Sequence, residues 1–138
     1  MPTIREQLIL HESLRLYPYL DTVGKITVGV GRNLSDRGIS RELALQWLDE
    51  DIRECEIDMA KFAWYPLLDP IRQRVLLDMR FNLGPKRFRQ FKGTLQAVEE
   101  GDYTTAADRM LDSKWAKQTK TRATRLAQMM RSGMDYDD

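Results

Sequence analysis

A single cysteine, Cys55, stands in the 138 residues, so no internal disulfide can form and the chain fits a reducing compartment. No run of about 18 apolar residues occurs, and no membrane-spanning helix is expected. The opening stretch, MPTIREQLILHE, carries charges at Arg5 and Glu6 and only a short apolar run, too little for a secretory leader. Such a chain is expected to be made and kept in the cytoplasm, without stable membrane association, unless something else releases it. GVGR at Gly29 to Arg32 has no G-x-G-x-x-G and no surrounding βαβ unit, which excludes a dinucleotide loop. The acidic run Asp49, Glu50, Asp51, Glu54 and Glu56 has no histidine or glycine beside it to complete a metal loop, so it reads as a solvated helix face. No metal and no cofactor are expected. Internal repeats and low-complexity segments are also lacking.

What is present suits one soluble globular unit. With 42% hydrophobic and 31% charged residues, the chain can bury one compact core and is too short for two comfortable domains. The net charge is +1 but unevenly spread: residues 1–70 hold 8 Lys/Arg against 12 Asp/Glu, and residues 71–138 hold 14 against 9. A basic C-terminal half suits nucleic acid or an anionic wall polymer equally, and an imbalance this small does not choose between them.

In chain order, Thr3 and Glu6 form a capping box that opens a helix closing at Glu12. An aromatic-rich strand, Leu16 to Leu20, and a β-branched one, Ile26 to Val30, flank the turn DTVG. Thr27 points to the face opposite Ile26 and Val28; if those two are buried, its hydroxyl faces a cleft. Asn33 to Ser40 reads as a loop, with Ser40 capping an amphipathic helix from Arg41 to about Phe62. Cys55 lies on the apolar stripe of that helix with Leu45, Leu48, Ile52 and Met59, as an inert core thiol. Asp69 as N-cap and Pro70 at the first helical position open the helix whose face Ile71, Val75, Leu76 and Met79 should form the central core. Gly84 and Pro85 should end it. Short pieces punctuated by Gly93, Gly101, Ser113 and Thr119 follow, then a helix from about Lys120 to Arg131 and a fraying acidic tail, GMDYDD. The layout is α+β and mostly helical, with the cleft between a small hairpin and a helical body.

Within HESLRLYPYLDTVGKITVGVGR, His11 to Arg32, Glu12, Asp21 and Thr27 follow an E-x8-D-x5-T spacing. A hairpin that folds Asp21 back toward the end of the first helix can bring two carboxyl groups to one cleft from opposite sides, as acid/base cleavage of a glycosidic bond requires. A glutamate at a helix C-terminus also sits where the helix dipole disfavours negative charge.

This stretch closely resembles the catalytic segment of phage-type lysozymes, the T-even phage lysozyme and its endolysin relatives, including the T-x-G-x-G that follows. FNLG at Phe81 to Gly84 resembles that family's F-N-x-G, and GTL at Gly93 to Leu95 stands in the place of its small-residue turn. EEGDYTTAA resembles its G-D-x-x-A-A segment, and SKWAKQTKTRATR at Ser113 to Arg125 its W-x-x-Q-T-x-x-R-A-x-R segment. The blocks cover most of the chain in matching order. Ser13 stands where the family usually has Gly, and Arg32 where the T-even branch has His. The segment between hairpin and long helix is also shorter.

The resemblance implies one lysozyme-like domain over residues 1–138: a hairpin lobe over about 13–40, a linking helix over about 41–62, and a helical lobe over about 63–132 together with 1–12. It implies a peptidoglycan muramidase, an endolysin that cleaves the β-1,4 bond between N-acetylmuramic acid and N-acetylglucosamine with inversion. Glu12 would be the general acid, and Asp21 with Thr27 would hold and activate water. Phe81, Asn82 and Thr94 would line the sugar-binding cleft. Arg122 matches the family arginine near the catalytic glutamate, and an Arg32–Asp51 ion pair would replace a His–Asp one. Its partner would be the bacterial wall; it would act as a monomer, with a holin releasing it to the periplasm. Two other classes fit less: a lysozyme-fold module that binds glycan or protein without cutting, and a small helical nucleic-acid binder using Lys114 to Arg131. Neither gives the hairpin triplet a use.

Overall fold

A computed structural model of the protein describes residues 1–136. The chain divides into two compact units, Met1–Trp47 and the remainder from Leu48 onward.

The first unit opens with α1 (Ile4–Glu12), whose capping box forms as expected: Thr3 Oγ1 accepts the Glu6 N–H at 3.1 Å and Glu6 Oε2 accepts the Thr3 N–H at 3.2 Å. Three antiparallel strands follow in sequential order, β1 (Arg15–Leu20), β2 (Ile26–Gly29) and β3 (Arg32–Asn33). Their register pairs Tyr19 with Thr27 and Thr27 with Asn33. Thr27 therefore lies in mid-sheet with a neighbour on each side and is 4% exposed, whereas Ile26 at the strand's start is 47% exposed. The condition under which Thr27 would face an open cleft, burial of Ile26 and Val28, is not met: Ile26 is exposed, Val28 is half-buried, and the threonine lies on the buried face.

The stretch read as a loop opens on the last residue of β3 and contains α2 (Leu34–Arg37). Asn33 caps that helix by accepting the Asp36 N–H, and Gly38 closes it at φ +57°. Polar and glycine-rich composition marks loops and caps alike, and here it supplied both ends of a single helical turn. Ser40 caps α3 (Arg41–Met59) through the Leu43 N–H, as expected. α3 stops three residues early because its last turn tightens, with Lys61 and Phe62 donating to carbonyls three residues back, Asp58 and Met59.

The second unit is helical: a 3₁₀ turn (Tyr65–Leu67), α4 (Pro70–Arg89), α5 (Lys92–Glu99), α6 (Tyr103–Leu111), α7 (Lys114–Thr119) and α8 (Thr121–Ser132). Asp69 and Pro70 start α4 as expected. Val75, Leu76 and Met79 are fully buried and join Met59, Phe88, Val98, Met110 and Met130 in one core. Gly84 breaks α4 locally, at φ +80° and ψ 166°, and the helix resumes at Pro85 instead of ending there. Gly93 does not punctuate either; it lies inside the first turn of α5, where a missing side chain costs little.

At the end of α3, Asp58 (6% exposed) accepts from Arg80 Nε at 2.5 Å and from Arg89 Nη1 and Nη2 at 2.9 and 2.7 Å, fastening α3 to α4. Those guanidinium bonds hold its carboxyl well below the usual carboxylate range against the opposing effect of burial. Cys55 is buried beside them, and burial pushes its thiol up. Of the acidic tail, Asp135 pairs with Arg74 at 3.0 Å and Tyr136 lies under Arg125, so its described part is held against the second unit; Asp137 and Asp138 lie outside the described residues.

Candidate active site

Glu12 is the last residue of α1, and the chain leaves the helix through Ser13 at φ +68° and ψ 156°. That conformation is almost exclusive to glycine. It accounts physically for a glycine at this position in the resembling family, and it places strain one residue from Glu12. The Glu12 side chain reaches across to the turn between β2 and β3, where Gly31 leaves room for it: a Cβ on Gly31 would lie 2.6 Å from Glu12 Oε2. Glu12 as a residue is exposed.

Asp21 is fixed by the hairpin turn. Its Oδ1 accepts the N–H groups of Val23 at 3.0 Å and Lys25 at 2.8 Å. Both bonds fall on Oδ1, so Oδ2 is spared by the turn. The backbone N–H of Asp21 donates to the Lys25 carbonyl at 2.9 Å, and the same carbonyl accepts from Thr27 Oγ1 at 3.0 Å. One peptide oxygen thus ties Asp21 and Thr27 together: Asp21 meets the Lys25 carbonyl across the tight antiparallel turn, and the Thr27 hydroxyl reaches it two residues back along its own chain. Such a hydroxyl, bonded through its proton, keeps its oxygen lone pairs for an incoming donor.

The other sequence candidates sit as follows. Arg32, in the first unit, donates Nε and Nη2 to the Gly38 carbonyl at 3.2 and 3.1 Å. Asp51 is on the exposed acidic face of α3 in the second unit. Arg122 is committed to Asp78, with Nη2 2.6 Å and Nε 2.7 Å from Oδ1. Phe81, 43% exposed, shares with Arg122 and Asp78 an apolar groove of about 780 Å³. Asn82 Oδ1 accepts the indole N–H of buried Trp115 at 2.8 Å.

Thr94, 2% exposed, lines a second cavity of about 680 Å³. Around that cavity stand four cations, Arg87, Lys92, Arg109 and Lys114, opposed by Asp112; of these the sequence pointed only to Lys114, as the start of a basic helix. None of the four makes an ion pair among the described residues. The only sequence signal of Arg87, Lys92 and Arg109 was the basic excess of the C-terminal half, because residues 87, 92, 109 and 114 converge only once α4 to α7 have packed.

The phage lysozyme family matches residues 10–131. The chain belongs to the phage lysozyme family. Among curated relatives, it is 26% identical to "Probable T4-type lysozyme 1" of Dictyostelium discoideum, an alignment covering 95% of each chain. It is 25% identical to the "Pre-baseplate central spike protein Gp5" of Enterobacteria phage T4, over 95% of this chain and 28% of that one. Its identity to the "SAR-endolysin" of Escherichia phage Mu is 30%, over 80% of this chain and 64% of that protein. Phage lysozyme membership supports a lysozyme-type glycoside hydrolase with peptidoglycan as its substrate. The mostly helical fold with its small antiparallel sheet agrees with that assignment. Among the described residues no helix is long and apolar enough to cross a membrane.

Proposed function

We propose that the protein is a muramidase that hydrolyses the β-1,4 bond between N-acetylmuramic acid and N-acetylglucosamine by inverting acid/base catalysis, and that residues 1–138 work as a single lysozyme-like domain. Glu12 protonates the departing glycosidic oxygen. Asp21 takes a proton from a water that Thr27 helps to hold, and that water attacks the anomeric carbon from the opposite face of the sugar. The sugar loses its leaving group as the new C–O bond forms, so the product carries the inverted anomer. The observation that carries the reading is the arrangement of the triplet in the first unit: Asp21 immobilised through one oxygen, Thr27 tied to the same peptide carbonyl, and Glu12 lodged at the turn that follows.

Phe81, Asn82 and Thr94 contact glycan, and the cations around Thr94 favour an anionic wall. Biologically, the reading is an endolysin that lyses its bacterial host once a holin admits it to the wall. The test is turbidity loss of outer-membrane-permeabilised Gram-negative cells, comparing wild type with folded Glu12→Gln and Asp21→Asn. Clearing by wild type and its loss in both variants supports the enzyme; glycan binding by wild type without clearing would favour a module that binds without cutting.

A further inference from the structure

Gly24, Gly29 and Gly31 have φ of +82°, +71° and +68°, so a side chain at any of them meets comparable backbone strain. Their surroundings differ. A Cβ on Gly24 or Gly29 would find nothing within 4 Å, whereas on Gly31 it would lie 2.6 Å from Oε2, 2.9 Å from Cδ and 3.2 Å from Cγ of Glu12. Of the three, only Gly31 is required for space as well as for backbone conformation, and the group that needs the space is the carboxyl of Glu12.

We infer that Gly31 is a positioning residue for the general acid: the absence of its side chain leaves the space in which the Glu12 carboxyl rests against the turn between β2 and β3. This inference rests on Glu12 being the acid proposed above. With alanine at 31, Oε2 must retreat by about 0.8 Å to regain the 3.4 Å of ordinary contact. The carboxyl is the far end of a flexible, exposed side chain and can swing away while the fold stays intact. The substitution therefore displaces the acid. A displacement near 1 Å costs about 100-fold in rate when a reacting group depends on its placement.

The experiment compares Gly31→Ala, Gly29→Ala, Glu12→Gln and the Gly31→Ala/Glu12→Gln pair on soluble peptidoglycan fragments, reading kcat and KM separately, with thermal melts as a folding control. Gly31→Ala should lower kcat about 100-fold and leave KM within about threefold, while Gly29→Ala stays within about threefold in both. Adding Gly31→Ala to Glu12→Gln should change nothing further, because the acid it positions is already gone. If Gly29→Ala loses as much kcat as Gly31→Ala, the loss belongs to backbone strain and the inference fails. If the double variant falls well below Glu12→Gln, Gly31 acts through something else and the inference also fails. Full kcat in Glu12→Gln would instead remove the acid assignment itself, and the inference with it. Should Gly31→Ala not fold, the same substitution in Glu12→Ala must fold as well as Gly29→Ala does; if it does not, the clash with Glu12 is not the cause.

Discussion

Replacing Asp58 with asparagine keeps the shape of a buried side chain and removes its charge. Asp58 accepts three guanidinium hydrogen bonds, one from Arg80 and two from Arg89, with Lys61 3.5 Å away. The two arginines respond differently. The side chain of Arg89 is 37% exposed and can turn to water, whereas that of Arg80 is 8% exposed and would keep its charge in the protein without a counter-charge. Leaving a buried charge unpaired costs about 3–5 kcal/mol, and because asparagine still offers one acceptor oxygen, the lower end, about 3 kcal/mol, is expected. For a chain of this size that is a fall of roughly 10 °C in Tm. The effect has a pH signature. The folded-state carboxyl is held low, so its stabilisation is present above the ordinary aspartate range and is lost as pH falls below about 4. Urea titrations followed by tryptophan fluorescence at pH 7 and pH 3 should show a gap between wild type and Asp58→Asn that narrows on acidification. An unchanged midpoint at pH 7, or a gap that widens in acid, would refute the assignment of Asp58 as the paired charge fastening α3 to α4.

Ser13→Gly should stabilise the protein by about 1–3 kcal/mol, since φ +68° with ψ 156° strains any residue with a side chain; a lower melting temperature would show that serine is not strained there. Asn82→Ala should cost about 1 kcal/mol by orphaning the indole N–H of Trp115, which is 3% exposed. The cost should vanish in a Trp115→Phe background, measured as a double-mutant cycle. Charge reversal at Lys92 or Arg109 beside Thr94 should raise KM for whole peptidoglycan several-fold at low salt, with the difference fading toward about 1 M, where screening is short-ranged.

Helix starts were legible because they are written in adjacent residues: Thr3 with Glu6, Ser40 ahead of Leu43, and Asp69 followed by Pro70 all form as read. The triplet spacing was legible for a similar reason, since a hairpin converts short sequence offsets into fixed neighbours and brings Asp21 and Thr27 to one carbonyl. Glycine was the less reliable sign. Gly84 interrupts a helix that resumes, Gly93 sits inside one, and Gly38 closes a helical turn hidden in an apparent loop. The same residue type serves breaks, caps and close approaches, and only its surroundings distinguish them. Which face of β2 is buried stayed open in the sequence because it depends on which residue has strands on both sides, and β3, at two residues, is too short to leave a pattern. Links such as Asp58 to Arg80, 22 residues apart, and Arg122 to Asp78, 44 apart, leave no local pattern at all.

The most direct measurement is the anomeric configuration of the first product released from purified peptidoglycan, followed by proton NMR before mutarotation, for wild type, Glu12→Gln and Asp21→Asn. Inverting hydrolysis at the muramic acid linkage predicts new reducing N-acetylmuramic acid ends in the α configuration from wild type, and their loss in both folded variants. First-formed β product, reducing N-acetylglucosamine ends, or undiminished release by either variant would contradict the proposed roles of Glu12 and Asp21.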